Sequence, residues 1–342
     1  GNLQNIDKKQ TFNTLGVETG VQSTEKNEFV YTGSVSFKHF TTKYGPTLNN
    51  DGVNGHILNG LLDIAAPFRS DKYIGVRVGA MHQSFSKVDW ANKNDYFHSL
   101  TNLRLNPYFK LDGGNYSVHL GVNVNYAIDN DNKLAIAPDI NLQWQFADKT
   151  AFYLTATGGI NENNHVDMMR ENRYLSPDQK IAYSHTIADG VIGIKSGVVK
   201  GLEFDIFGGY KYVKDEHFYA YSYTSSWDNV GQAEYYDIGT GHFGALLKTS
   251  LIPYTNLSVK AVGYFYNAEY EESMIGGPAT KKVKTPWGLP KFSLQFNADV
   301  NPFDNLILSM SYNLKTGREA YYYGSEVKMK NINELNFRGE YE

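Results

Sequence analysis

The feature that most constrains this chain is a strict alternation of apolar and polar residues that stops for a few polar residues and then resumes. In LQWQFADKTAFYLTA (142–156), Leu142, Trp144 and Phe146 share one parity, and Gln143 and Gln145 share the other. After Ala147-Asp148-Lys149-Thr150, Phe152, Leu154 and Ala156 alternate with Tyr153 and Thr155. Successive side chains leave a strand on opposite faces, so period two means strand. Two such runs across a short polar break predict an antiparallel hairpin.

The pattern recurs along the whole chain. Short breaks fall at 23–28, 67–72, 110–115, 147–150, 195–203, 252–256 and 301–305. Longer segments rich in Asn, Asp, Gly, Lys and Tyr alternate with them, near 41–56, 83–98, 128–133, 161–183, 214–236, 268–288 and 316–331. The alternation is clearest at 116–126, at 134–146 and at 291–300, where Phe292, Leu294, Phe296, Ala298 and Val300 oppose Lys291, Ser293, Gln295, Asn297 and Asp299. Short turns at one end and long loops at the other predict an all-β, antiparallel up-and-down barrel of about 14–16 strands standing in a membrane. No domain boundary or solenoid repeat is visible, so residues 1–342 read as one transmembrane β-barrel domain.

A soluble sandwich also alternates. Three features count against it. The strands run to about 10–13 residues, where about 5–6 is usual and about 9–11 cross a bilayer. No helical pattern covers the apolar face. A barrel this wide cannot fill its interior with side chains. One face then meets water, carrying Lys110, His119, Asn123, Gln143, Glu203, Asp205, Lys260, Lys291, Asp299 and Arg338, and the other meets lipid. The mean hydropathy of −0.44 is compatible with this, because a spanning strand shows lipid only every second residue. Aromatics make up 14% of residues and predict two interfacial girdles. One is Phe68, Phe109, Tyr116, Phe146, Phe152, Tyr254 and Phe303; the other is Tyr126, Tyr210, Tyr212, Phe265, Tyr266 and Tyr312. A net charge of −4 carries no nucleic-acid footprint, and zero cysteines exclude disulfides and thiolate metal sites.

With the short turns placed in the periplasm, the first strand (12–22) and the last (332–342) both run downward, giving an odd count of about 15. Bacterial single-chain barrels have even counts. The expectation is a segment of a longer barrel, with a miscounted N-terminal strand in GNLQNIDKKQ as the alternative.

The hairpins NLQWQFADKTAFYLTATGGINEN (141–163) and FNADVNPFDNLILSMSYNL (296–314), with the ending INELNFRGEYE (332–342), resemble the late strands of TonB-dependent outer-membrane receptors. The style is nearest the shorter receptor-like barrels of Bacteroidetes. The resemblance implies a Gram-negative outer-membrane location and nutrient uptake through a 22-stranded barrel with an N-terminal plug and an energy-coupling protein. No plug domain, TonB-box-like segment or terminal aromatic closing strand is read in this chain, so plug and coupling are expected from outside it. The alternatives are a passive porin-like channel and a non-transporting surface-assembly barrel with a lipoprotein partner.

Enzymatic fingerprints are absent, and catalysis is not expected. The loop FYAYSYTSSWDNVGQAEYY (218–236) offers Tyr219, Tyr221, Tyr223, Trp227, Tyr235 and Tyr236 as flat faces for a ligand, or as an aromatic strand pair rising above the membrane. Asp129 and Asp131 in AIDNDNK have the hard oxygens that hold Ca²⁺, without a full calcium-loop pattern; a solvated loop tip is the simpler reading. Lys281, Lys282 and Lys284 could attract lipopolysaccharide or another anion.

Overall fold

The computed structural model describes residues 10–24, 29–44, 52–69, 71–86, 99–129, 132–176, 181–221, 231–274, 277–283, 286–322 and 325–341. Among these residues there are eighteen strands and one short helix. The strands in the first half are β1 (Phe12–Gln22), β2 (Val30–Thr42), β3 (Asn54–Arg69), β4 (Lys72–Ser86), β5 (Leu100–Asp112), β6 (Tyr116–Ile128), β7 (Lys133–Ala147) and β8 (Thr150–Asn161). Helix α1 (His165–Glu171) follows. Then come β9 (Ser184–Ser196), β10 (Leu202–Tyr221), β11 (Gln232–Thr249), β12 (Thr255–Met274), β13 (Gly277–Val283), β14 (Phe292–Phe303), β15 (Leu306–Thr316), β16 (Glu319–Tyr322), β17 (Ser325–Lys328) and β18 (Ile332–Tyr341).

Fifteen of these form the wall. Each pairs antiparallel with the next from β1 to β12, then β12 with β14, β14 with β15 and β15 with β18. Strand β13 extends β12 as a hairpin, and β16–β17 is a hairpin inserted between β15 and β18. One end of the sheet carries only short connections, as the sequence predicts; the other carries the long ones, together with the tight β6–β7 turn, where the sequence reading expected a longer segment at 128–133. Among the described residues β1 pairs only with β2 and β18 only with β15, so the sheet has two edges, and the odd count makes them run the same way.

Parity sorts the two faces. Leu15, Leu134, Phe243 and Phe337 are 76%, 65%, 63% and 73% exposed. They lie on the outward face, which the strand registers carry on through Ile136, Leu105, Ile74 and Leu62. The ten polar residues expected in the lumen occupy the opposite parity. This face is the concave one, because the β8–β9 loop on that side touches both β2–β5 and β10–β11.

At 218–236 the structure takes the aromatic strand pair offered as one of the two sequence readings, the β10–β11 ladder continuing to Ala220↔Gln232. The alternating aromatics there serve a strand pair above the wall. Two further local outcomes differ from the sequence reading. Residues 268–288 are not simply a loop, since the β12–β13 ladder continues to Met274↔Gly277. Tyr266, expected in the outer girdle, has the lumen parity of Lys260 and Tyr264 and donates its hydroxyl to the Pro290 carbonyl at 2.6 Å.

The wall has little core of its own, and the packed apolar clusters sit at the outer mouth. One joins Phe40, Ile57, Met81 and Leu100 of the wall to Val166, Met168, Met169, Leu175, Ile181 and Tyr183 of the β8–β9 loop. The other gathers Val213, Phe218, Tyr236, Ile238, Ala268, Trp287 and Tyr321.

Candidate functional site

The candidate site is the polar lumen wall beneath this filled mouth. Its middle is a side-chain network running across five strands. Arg77 on β4 pairs with Asp63 on β3 at 2.9 Å, and the Tyr108 hydroxyl on β5 donates to the same carboxylate at 2.8 Å. The Tyr108 ring stacks on His119 of β6, whose Nε2 lies 3.1 Å from Asp139 of β7. Asn106 donates to Asp139 at 2.8 Å and to Asn123 at 2.6 Å. Further round, the Tyr153 hydroxyl donates to Asp205 at 3.0 Å, and Lys195 donates to Gln143 at 3.1 Å. Both tyrosine rings lie flat over a glycine on the neighbouring strand. A Cβ at Gly75 would collide with the Tyr108 ring and one at Gly193 with the Tyr153 ring. Glycine there lets the ring turn along the wall and reach its carboxylate instead of blocking the lumen.

Two cavities open on this wall. The larger, about 850 Å³, lies toward the short turns between Gln145, Lys149, Lys195, Glu203, Lys248 and Asp299. The smaller, about 380 Å³, lies higher, among Arg77, Arg104, Asn106, Asn125, Asn161 and Lys211. Mixed charges and amides line both. They form a surface that hydrates well and can exchange hydrogen bonds with a polar solute.

The described part of the β8–β9 loop packs inward against the wall at the mouth rather than standing in solvent. Asn164 caps α1 by accepting from the Asp167 N–H at 3.1 Å. His165 is fully enclosed. Its ring stacks on Phe40 at 5.0 Å and meets Phe85 edge-on at 5.9 Å, while its backbone N–H donates to Gln83 Oε1 at 2.9 Å. Burial pushes its imidazole down to about 4. Before the helix, Glu162 accepts from Asn102 at 2.9 Å and lies 3.7 Å from Arg104. At the helix's last residue, Glu171 accepts from His217 at 2.9 Å and from the Tyr219 hydroxyl at 3.1 Å, and the His217 bond holds its carboxyl below its ordinary value. One loop is thus pinned to β4 and β5 on one side and to the β10–β11 hairpin on the other.

That hairpin divides the mouth. A bulge between Val213 and Glu216 sets its upper part, with Asp215 at a positive φ of 53°. Its His217–Tyr219–Tyr235 face meets α1, with the Tyr235 hydroxyl accepting from the Ala182 N–H at 3.1 Å. On the other face Phe218 stacks on Tyr236 at 4.2 Å, and Tyr236 meets Trp287 edge-on at 5.4 Å.

The candidate ligand residues are therefore not gathered into one exposed plane. Tyr219 and Tyr235 face the helix, Tyr236 faces Trp287, and Tyr221 lies 5.9 Å from Tyr322. Tyr223 and Trp227 lie outside the described residues. Asp129 falls in the β6–β7 turn, while Asp131 and Lys284 lie outside the described residues; Lys281 and Lys282 belong to β13. Among the described residues no cluster of three or more His, Cys, Asp or Glu is placed to hold a metal. The inward loop escaped the sequence reading, although its signal was there: Val166, Met168, Met169, Leu175 and Ile181, with an Asn164 cap, in a segment otherwise suited to a solvated loop.

No family model and no curated protein matches the sequence. Solved structures do match. The chain superposes on a ferric enterobactin receptor, PfeA, from Pseudomonas aeruginosa with a TM-score of 0.68 and 9% identity, over 97% of this chain and 54% of that one. The siderophore receptor PirA from Acinetobacter baumannii matches at 0.65 and 8% identity, over 97% and 56%. The copper transporter OprC matches at 0.60 and 12% identity, over 97% and 57%. The chain thus spans about half the length of the solved chains it matches. At these identities the likeness is one of fold: an all-β antiparallel sheet with the architecture of the TonB-dependent receptor barrels.

Proposed function

We propose that the chain forms wall strands of a receptor-type transport barrel in a bacterial outer membrane, taking up a nutrient through its lumen. The observation that carries this reading is the continuous polar lumen wall beneath an inward-packed mouth. A solute path needs the first, and a path opened only on demand needs the second. The receptor and transporter titles of the matching structures support the same reading. Both edges of the sheet need partners in hydrocarbon, where an unpaired backbone group costs several kcal/mol. We assign that closure to further strands outside the 342 residues, together with the plug and its contact to an energy-coupling protein. Lipid and lipopolysaccharide cover the outward face, and Tyr219, Tyr221, Tyr223, Trp227, Tyr235 and Tyr236 meet the ligand as the mouth opens.

The native gene product, reconstituted in planar bilayers without an energy-coupling protein, is expected to show no steady conductance. In cells, deleting the gene and deleting the coupling protein are expected to abolish uptake of the same nutrient. A stable, salt-dependent conductance would overturn the reading in favour of a passive channel. Unchanged uptake of every nutrient tested would overturn it in favour of a non-transporting barrel.

A further inference from the structure

We infer that His39 and His56 form a binding site for a divalent first-row transition ion on the outward face of the wall, apart from the lumen. The two residues are direct register partners on β2 and β3, three residues from the outer end of β2 and two residues into β3. Their Nδ1 atoms face each other at 3.2 Å, with ring centroids 4.8 Å apart. Phe37 stacks on His56 at 5.4 Å and an interplanar angle of 25°, which fixes that ring's orientation.

The spacing fits a chelate. With metal–nitrogen bonds of about 2.0–2.1 Å, nitrogens 3.2 Å apart subtend about 100° at the ion. That lies between the square-planar and tetrahedral angles, so Cu²⁺, Ni²⁺ and Zn²⁺ can all accept it. Without metal, two neutral rings hold this distance by sharing one Nδ1–H. On binding, that ring shifts its proton to Nε2 and both Nδ1 lone pairs point at the ion, with no net proton released. Water fills the remaining positions, since no third His, Cys, Asp or Glu among the described residues completes a cluster. An open, two-imidazole site exchanges its ion readily and favours Cu²⁺ in the usual affinity order.

The test uses the full chain without a histidine tag, folded in detergent micelles and titrated with Cu²⁺ under electron paramagnetic resonance. One site with two equatorial nitrogens is expected. His39→Gln and His56→Gln should each weaken binding by about tenfold or more and leave one nitrogen. His82→Gln should change neither; His82 shares the outward parity but bonds Thr101 at 2.8 Å. Circular dichroism establishes that each variant keeps its β content. Should a variant not fold, protection of His39 and His56 in the unaltered chain from diethyl pyrocarbonate by Zn²⁺ decides the matter. A two-nitrogen signal that survives both substitutions, or equal modification with and without Zn²⁺, would overturn the site.

Discussion

Enclosing His165 between Phe40 and Phe85 ties closure of the mouth to proton concentration. An undocked loop would let this imidazole titrate near its ordinary 6.5, whereas burial pushes it down to about 4 in the docked one. Below pH 6.5 the undocked state therefore binds the extra proton. Docking weakens as pH falls from 6.5 toward 4, by up to about tenfold per pH unit. Glu171 adds to this lower down. Its carboxyl is held below the ordinary 4.5 by His217, so the stability it contributes is present above that value and lost as pH falls through the depressed one. Hydrogen exchange across residues 161–176, corrected for the intrinsic pH dependence of exchange, is expected to lose protection between pH 6.5 and 4.5. His165→Phe, which keeps the ring stack without a titrating nitrogen, should remove that loss. Equal protection at both pH values in the unaltered chain would contradict the role given to His165.

Strand β7 shows how the elements obtain their stability. Ile140 is its central residue and faces outward, directly opposite Leu120; Asn141 faces the lumen opposite His119. An arginine meets opposite fates at these adjacent positions. Ile140→Arg places a charge at the bilayer midplane and is expected to cost about 2–4 kcal/mol, while Asn141→Arg adds a hydrated lumen residue and should change stability little. Urea unfolding in lipid vesicles measures both; equal costs would contradict the assignment of faces. This much of the fold was legible in the sequence, because lipid and water impose opposite demands on neighbouring residues and leave period two behind. The lumen side chains were legible too: Lys110, His119, Gln143 and Asp205 all face inward as the alternation predicts. Helix α1 was not. Seven residues are too few to show a helical period, and Val166, Met168 and Met169 are buried by the far wall of the barrel, which no local pattern encodes. Tyr266 was misplaced although the alternation encodes its side: it shares the parity of Lys260, while adjacent Phe265 takes the outward position, and its hydroxyl is captured by the Pro290 carbonyl 24 residues on.

At the scale of the whole chain, the fifteen wall strands among the described residues, with two same-direction edges, present one polar face beneath a mouth packed by the β8–β9 loop and the β10–β11 hairpin. On the proposed reading, the same alternation that builds the wall also sets where the molecule resides, with its apolar outward face against hydrocarbon. That claim is open to direct measurement because the natural chain has no cysteine. Single cysteines placed one at a time from Ser117 to Tyr126 on β6, spin-labelled in lipid vesicles, report collisions with dissolved oxygen and with a water-soluble nickel chelate. The expected result is alternation: oxygen reaches Val118, Leu120, Val122 and Val124, and the chelate reaches Ser117, His119 and Asn123. Even-numbered positions closed to both reagents, as in the core of a soluble sandwich, or open to the chelate, would contradict the membrane-spanning wall.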